Sequence, residues 1–211
     1  MLNIDKAREW YEGADAVHNF DHILRVYRMA EFLSNEEGGD FEIIGAATLL
    51  HDAVDPHPNE DYTRTAHHEI SANFAGKILA GEKWESDKVE EVQHCIRAHR
   101  FRSTEKPKSL EAKIVFDADK IDSIGAIGAA RAIAYAALDN KPFFTPASKL
   151  FSKKFELEEN EVHSACHEYI FKLINIKDRL YTATAKKIAV ARHKYLEEFF
   201  IQLKAEYLGE R

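Results

Sequence analysis

Cysteine is scarce in this sequence. Cys95 and Cys166 are the two in 211 residues, so there is no disulfide framework and no paired-thiol metal or redox motif. Basic charge is not in excess either. The net charge of −7 makes a non-specific grip on a phosphate backbone unfavourable, and nucleic acid is not expected as a partner. No apolar run reaches the roughly 18 residues of a membrane span. The longest, AIGAARAIAYAAL, is interrupted by Arg131, and the amphipathic start MLNIDKAREWYEGAD has no apolar segment resembling a secretion signal. Reduced thiols, a cytoplasmic location and no membrane partner are the expectations. Walker-type and dinucleotide fingerprints are absent. No serine or cysteine has the local context of an activated nucleophile, which favours direct attack by water in any hydrolysis.

What is present is helical periodicity. Residues 4–11 read as a short helix, and a longer one runs to about Ser34 with Ile23, Val26, Tyr27, Ala30 and Leu33 along one stripe. Gly38-Gly39 ends it, and Asp40 can cap the next helix, Phe41 to Ala53. That helix is apolar on nearly every side, which predicts a central, buried position. Asp55 to Asp61 reads as a loop. Helices are predicted over about 64–80, 86–100 and 109–139, with a second loop at 141–146. Glycine and proline are missing from Ala147 to Leu208, and two further helices are predicted there, packing on the first bundle. With no strand alternation, the fold expected is all-α, a single-domain helical bundle spanning residues 1–211.

Polar residues inside the apolar stretches carry the chemical signal. His51-Asp52 closes the nearly all-apolar helix, and an unpaired buried carboxylate costs several kcal/mol unless a cation or strong donors meet it. Asp117, Asp119 and Asp122 pose the same problem in a second apolar segment, where Lys113 and Lys120 or a divalent ion could supply the opposing charge. On bare chemistry two readings stay open: hydrogen-bonded core residues, or ligands of one cation.

His22, His51-Asp52 and Asp119, in that order, resemble the H…HD…D signature of the HD-domain superfamily of metal-dependent phosphohydrolases. The flanks agree: His22 opens an H-x-x-R-V helix with Arg25 and Val26, His51-Asp52 ends LLHD, and Asp119 lies in DADKID before SIGAIGAAR. The last segment is similar to the DADRLDAIGAIG run of small stand-alone bacterial HD hydrolases, and the tail FKLINIKDRLYTATAKKIAVAR resembles that branch too.

The resemblance implies that His22, His51, Asp52 and Asp119 are metal ligands. It implies a divalent cofactor as well, with a nitrogen-and-oxygen donor set open to Mn²⁺, Mg²⁺, Fe²⁺, Ni²⁺, Co²⁺ or Zn²⁺. Asp55 would be a general base or water-positioning group, the alternative being an ordinary turn aspartate before Pro56. Six-ligand relatives hold two metals with the HD aspartate bridging. His68 and His99 are the candidates for that second metal, or for contacts to substrate phosphate around a single ion. His57, His67 and His94 are expected at the surface or behind the ligands, and His163, His167 and His193 are expected to be structural. Arg25, Arg97, Arg100, Arg102, Lys106 and Lys108 could hold an anionic group or simply form a solvated face. Phe101, Phe143-Phe144 or Tyr62 could recognise a base.

The function implied is hydrolysis of a small phosphorylated substrate by metal-activated water. A nucleotide is the expected substrate, with nucleoside triphosphate cleavage to monophosphate and pyrophosphate suggested by the branch. A di-iron oxygenase and a catalytically inactive nucleotide-sensing module are the alternatives.

Overall fold

The structure, a computed structural model, describes residues 2–14, 17, 19–54, 61–101 and 103–210, with the backbone alone for 61–66. All secondary structure among them is helical, in agreement with the all-α expectation. The chain forms two compact units: residues 1–119 with 181–185, and residues 120–180 with 186–211.

The first unit is built around the helix that the sequence marks as apolar on all sides. After α1 (Ile4–Arg8) and a short 3-10 turn come α2 (Phe20–Glu37) and α3 (Phe41–Leu50). Asn19 caps α2 by accepting from the Asp21 N–H. Gly38, at φ +90°, ends it in a conformation that side chains resist. Asp40 then caps α3, its carboxylate accepting the Glu42 N–H at 2.9 Å. From Ile43 to Leu50 every residue of α3 is buried, and it packs against α1, α2, α4 (Asp61–Gly81) and α5 (Ser86–Ala98). A helix enclosed on all sides has no polar face to spare, which is why its amphipathicity is weak. α6 (Leu110–Ile121) follows, with Ile114, Val115 and Ala118 fully buried.

The second unit holds α7 (Gly125–Leu138), α8 (Lys149–Lys154), α9 (Ala165–Phe171) and most of α10 (Ala183–Tyr207). Two expectations are corrected here. The helix predicted over 109–139 breaks at 122–124, where Gly125 takes φ +78°. A Cβ on Gly128 would lie 2.3 Å from the Ser123 carbonyl oxygen, so the break needs a residue without a side chain at that point. The region after Ala147 contains three α-helices and two 3-10 turns rather than two helices. His167 is responsible for part of that: fully buried, it lies 3.0 Å from Glu161 and 2.9 Å from the Ser164 hydroxyl, making a capping box that starts α9. No single helix among the described residues is long and apolar enough to cross a membrane.

Candidate metal centre

Five segments of the first unit converge around Asp52. His22 lies in the first turn of α2 and is buried; His51 is the C-cap of α3, fully buried, with Asp52 directly after it. His99 caps the C-terminus of α5, and Asp119 lies near the end of α6. Asp52 Oδ2 stands 3.8 Å from His22 Nε2 and 3.5 Å from His51 Nε2, while Asp119 Oδ1 stands 3.6 Å from His22 Nε2. The other oxygen, Asp52 Oδ1, is 3.7 Å from both His67 Nε2 and His99 Nε2. Three of the sequence-predicted quartet, His22, His51 and Asp52, are thus gathered, and Asp119 adjoins them through His22, from segments up to a hundred residues apart.

Local backbone geometry sets how the imidazoles face. His51 Nδ1 lies 2.9 Å from the Thr48 carbonyl, and His99 Nδ1 lies 2.6 Å from that of Ile96. A carbonyl can only accept, so each Nδ1 carries a proton and each Nε2 is turned towards Asp52. Burial works to raise the Asp52 pKa. Positive charge on the imidazoles of His51, His99, His67 and His22, when they are protonated, outweighs it and holds the carboxyl well below the usual carboxylate range.

Whether these residues suit a cation is tested by their unmet valences. His51 Nε2 and Asp52 Oδ1 are buried polar atoms without a hydrogen-bond partner, an arrangement that is costly unless something else meets them. Metal bonds of about 2.1 Å place neighbouring donors about 3.0–3.4 Å apart and opposite ones about 4.2 Å apart. The observed 3.5–3.8 Å separations fall between these limits. His22, His51 and Asp52 form one group whose ligand atoms lie within 4.8 Å of one another, and Asp52, His67 and His99 form a second. The donor set fits a divalent ion.

The histidine pair chosen from sequence needs correcting. His67, expected at the surface or behind the ligands, is the α4 histidine beside Asp52, whereas His68 points its Nε2 at Glu69, 3.8 Å away. The cause is helical phase. His68 continues the core-facing stripe of Ala72, Ala75 and Leu79, and His67 lies about 100° round the helix from it. Burial, with His67 beside it, lowers the His68 pKa.

The three carboxylates of α6 and its exit also separate. Asp117, fully buried, accepts from the Tyr181 N–H (2.9 Å), the Thr182 N–H (2.7 Å) and the Thr182 hydroxyl (2.8 Å). Asp122 pairs with Arg131 at 2.7 Å. Asp119 is the member of the three beside His22.

Several other candidates have structural partners. Arg97 pairs with Glu105 at 2.6 Å, and Lys106 donates to the Phe101 and Ser103 carbonyls. His94 bridges Glu105 and the Lys108 N–H. Phe101 stacks edge-on with Phe116, which meets Tyr181 in the same way. Phe143 and Phe144 line an apolar hollow of about 460 Å³ in the second unit, with Pro142, Leu203 and Tyr207. Burial raises the pKa of the Cys95 and Cys166 thiols, leaving neither an activated nucleophile. Asp55, His57, Arg102 and the Tyr62 side chain lie outside the described residues.

Comparison with known proteins agrees with this geometry. The HD domain family model matches residues 19–124, which hold all six of the residues gathered at the site. YpgQ of Bacillus subtilis is 29% identical over 217 residues, covering 99% of this chain and 96% of its own. The crystal structure of that protein in complex with ADP superposes with a TM-score of 0.74 at 26% identity, covering 99% of this chain and 100% of that one. An HD-superfamily hydrolase from Bacillus thuringiensis gives a TM-score of 0.69 at 29% identity, covering 97% of this chain and 94% of the other.

Proposed function

The chain belongs to the HD-domain family, and from that membership we propose that it is a metal-dependent phosphohydrolase acting on a small phosphorylated molecule, a nucleotide. The observation that carries the reading is the pair of buried, partnerless atoms, His51 Nε2 and Asp52 Oδ1, at the meeting point of the histidines. In this reading His22, His51, Asp52 and Asp119 hold one divalent ion, drawn from Mn²⁺, Mg²⁺, Fe²⁺, Ni²⁺, Co²⁺ or Zn²⁺. When bound, such an ion supplies Lewis-acid polarisation of a phosphoryl group and eases the ionisation of water.

The chain's own residues do the rest. Asp52 and Asp119 neutralise the ion's charge, and the Thr48 carbonyl keeps His51 in the tautomer that leaves Nε2 free. His67 and His99, on the other side of Asp52, donate to a phosphate oxygen as imidazoliums. Asp55 orients the attacking water and takes its proton as the phosphorus–oxygen bond to the leaving group breaks. The HD-superfamily hydrolase among the relatives supports the reaction class. The YpgQ structure with ADP supports a nucleotide ligand, and cleavage of a triphosphate to monophosphate and pyrophosphate is the form proposed.

The grouping of Asp52, His67 and His99 also favours a second reading, two ions bridged by Asp52. Metal content decides between them: one ion per chain for the first, two for the second. The function itself is tested by measuring phosphate and pyrophosphate release over a nucleotide panel with each cation. Wild type should release one of them and Asp52→Ala neither; a panel on which the two proteins behave alike rejects the hydrolase.

A further inference from the structure

α6 carries two buried carboxylates that face different ways. Asp117 and Asp119 are two residues apart, about 200° around the helix, and they meet different partners: Asp119 stands 3.6 Å from His22, while Asp117 grips the residues leading into α10. Its carboxylate takes two backbone N–H groups and a hydroxyl, with both oxygens engaged. An apolar residue would fill the same space, but its contacts are non-directional and would tolerate a small roll of the helix. Hydrogen bonds to two consecutive backbone amides do not tolerate it.

Roll matters at Asp119. Side chains reach about 5–6 Å from a helix axis, so a rotation of about 15° carries the Asp119 carboxylate about 1.5 Å sideways. A ligand constellation needs placement to about 0.5 Å. We infer that Asp117 is a positioning residue for the metal centre: by holding Tyr181 and Thr182, it fixes the roll of α6 and with it the reach of Asp119 to the cation. The inference rests on the reading of His22 and Asp119 as ligands. It gives the 181–185 segment, which returns to the first unit from far along the chain, a task in the site. The same segment supplies a control. Thr184 donates its N–H to Glu37, at the end of α2, fifteen residues and about 22 Å along the helix from His22.

Co²⁺ binding alone is the probe, read by calorimetry and by the ligand-field absorption bands of full-length protein. Asp117→Asn is expected to weaken Co²⁺ affinity about tenfold and shift the bands. Thr182→Val, which removes one of the hydrogen bonds, is expected to give a smaller change of the same kind. Glu37→Gln is expected to lower the melting temperature yet leave affinity within about twofold of wild type. If Asp117→Asn fails to fold, Thr182→Val carries the test. Wild-type affinity and bands in the folded Asp117 and Thr182 variants overturn the inference, as does an equal loss of affinity in Glu37→Gln. A wild-type protein that binds none of the six cations overturns the metal centre itself, and the positioning role with it.

Discussion

Replacing Asp52 by asparagine probes the centre at its hub. The substitution keeps the volume and removes the charge that His22, His51, His67 and His99 surround at 3.5–3.8 Å. Any ion that binds the folded form alone stabilises it by RT ln(1 + [M]/Kd), about 2.7 kcal/mol at a hundred times Kd. For a unit of this size each kcal/mol moves the melting temperature by about 3 °C, so a saturating divalent ion should raise it by about 8 °C. Asparagine offers one neutral oxygen and an amide nitrogen that does not bind cations, so the rise should fall below about 2 °C. Scanning calorimetry of chelator-stripped protein, with and without Mn²⁺, measures this. Taking the difference within each protein cancels whatever the substitution does to the metal-free fold. An equal rise in Asp52→Asn would show that the ion binds elsewhere, and no rise in wild type with any of the six cations would remove the centre.

Three further outcomes are expected. His67→Ala should lower kcat/KM on the preferred substrate by at least tenfold more than His68→Ala, because His67 is the residue beside Asp52; the reverse order in steady-state assays would reject the assignment. Gly128→Ala should destabilise the second unit by more than about 2 kcal/mol, since its methyl would meet the Ser123 backbone at 2.3–2.5 Å; denaturant titration reads it, and an unchanged midpoint refutes the packing argument. At Glu161, burial works to raise the carboxyl's pKa, but hydrogen bonds from the Glu158 N–H, His167 and the Ser148 N–H bring it down to about 2, against 4.5 for a free glutamate. The folded-state value is the lower one, so this stabilisation is present above pH 4.5 and drains away as pH falls towards 2. Glu161→Gln should therefore flatten the acid limb of melting temperature against pH, and an identical limb in the variant would refute the linkage.

Much of the site was legible because its residues break a pattern. α3 reads as apolar on every side, so His51-Asp52 at its end stands out against it, and Asp119 stands out in α6 for the same reason. The order and flanks of the quartet supplied the rest. Asp117 and Asp122 were legible as carboxylates needing donors, but not as to which donors. Tyr181 and Thr182 are 64 and 65 residues from Asp117, and Arg131 is a polar residue within an otherwise small-residue run, the kind of position that reads equally well as solvent-facing. The break between α6 and α7 was hidden because alanine, isoleucine and glycine there keep an acceptable helical period; what ends the helix is the backbone approach at Gly128, a three-dimensional fact.

The exchange of His67 for His68 has a more general cause. Apolar periodicity identifies the face of a helix that points into the core, and on α4 that face runs through His68, Ala72, Ala75 and Leu79. A site that binds a cation and admits a substrate cannot lie on such a face, because packing closes it. Its ligands belong on the flank, where the stripe gives way to the half-exposed surface. There His67 meets His99 with ring centres 5.6 Å apart, and both approach one oxygen of Asp52. His22, His51 and Asp119 are buried because they approach from helices whose ends converge on the site, so for them burial and a place at the site coincide. For α4, which passes alongside, the two separate, and of two adjacent histidines the less buried one stands beside Asp52.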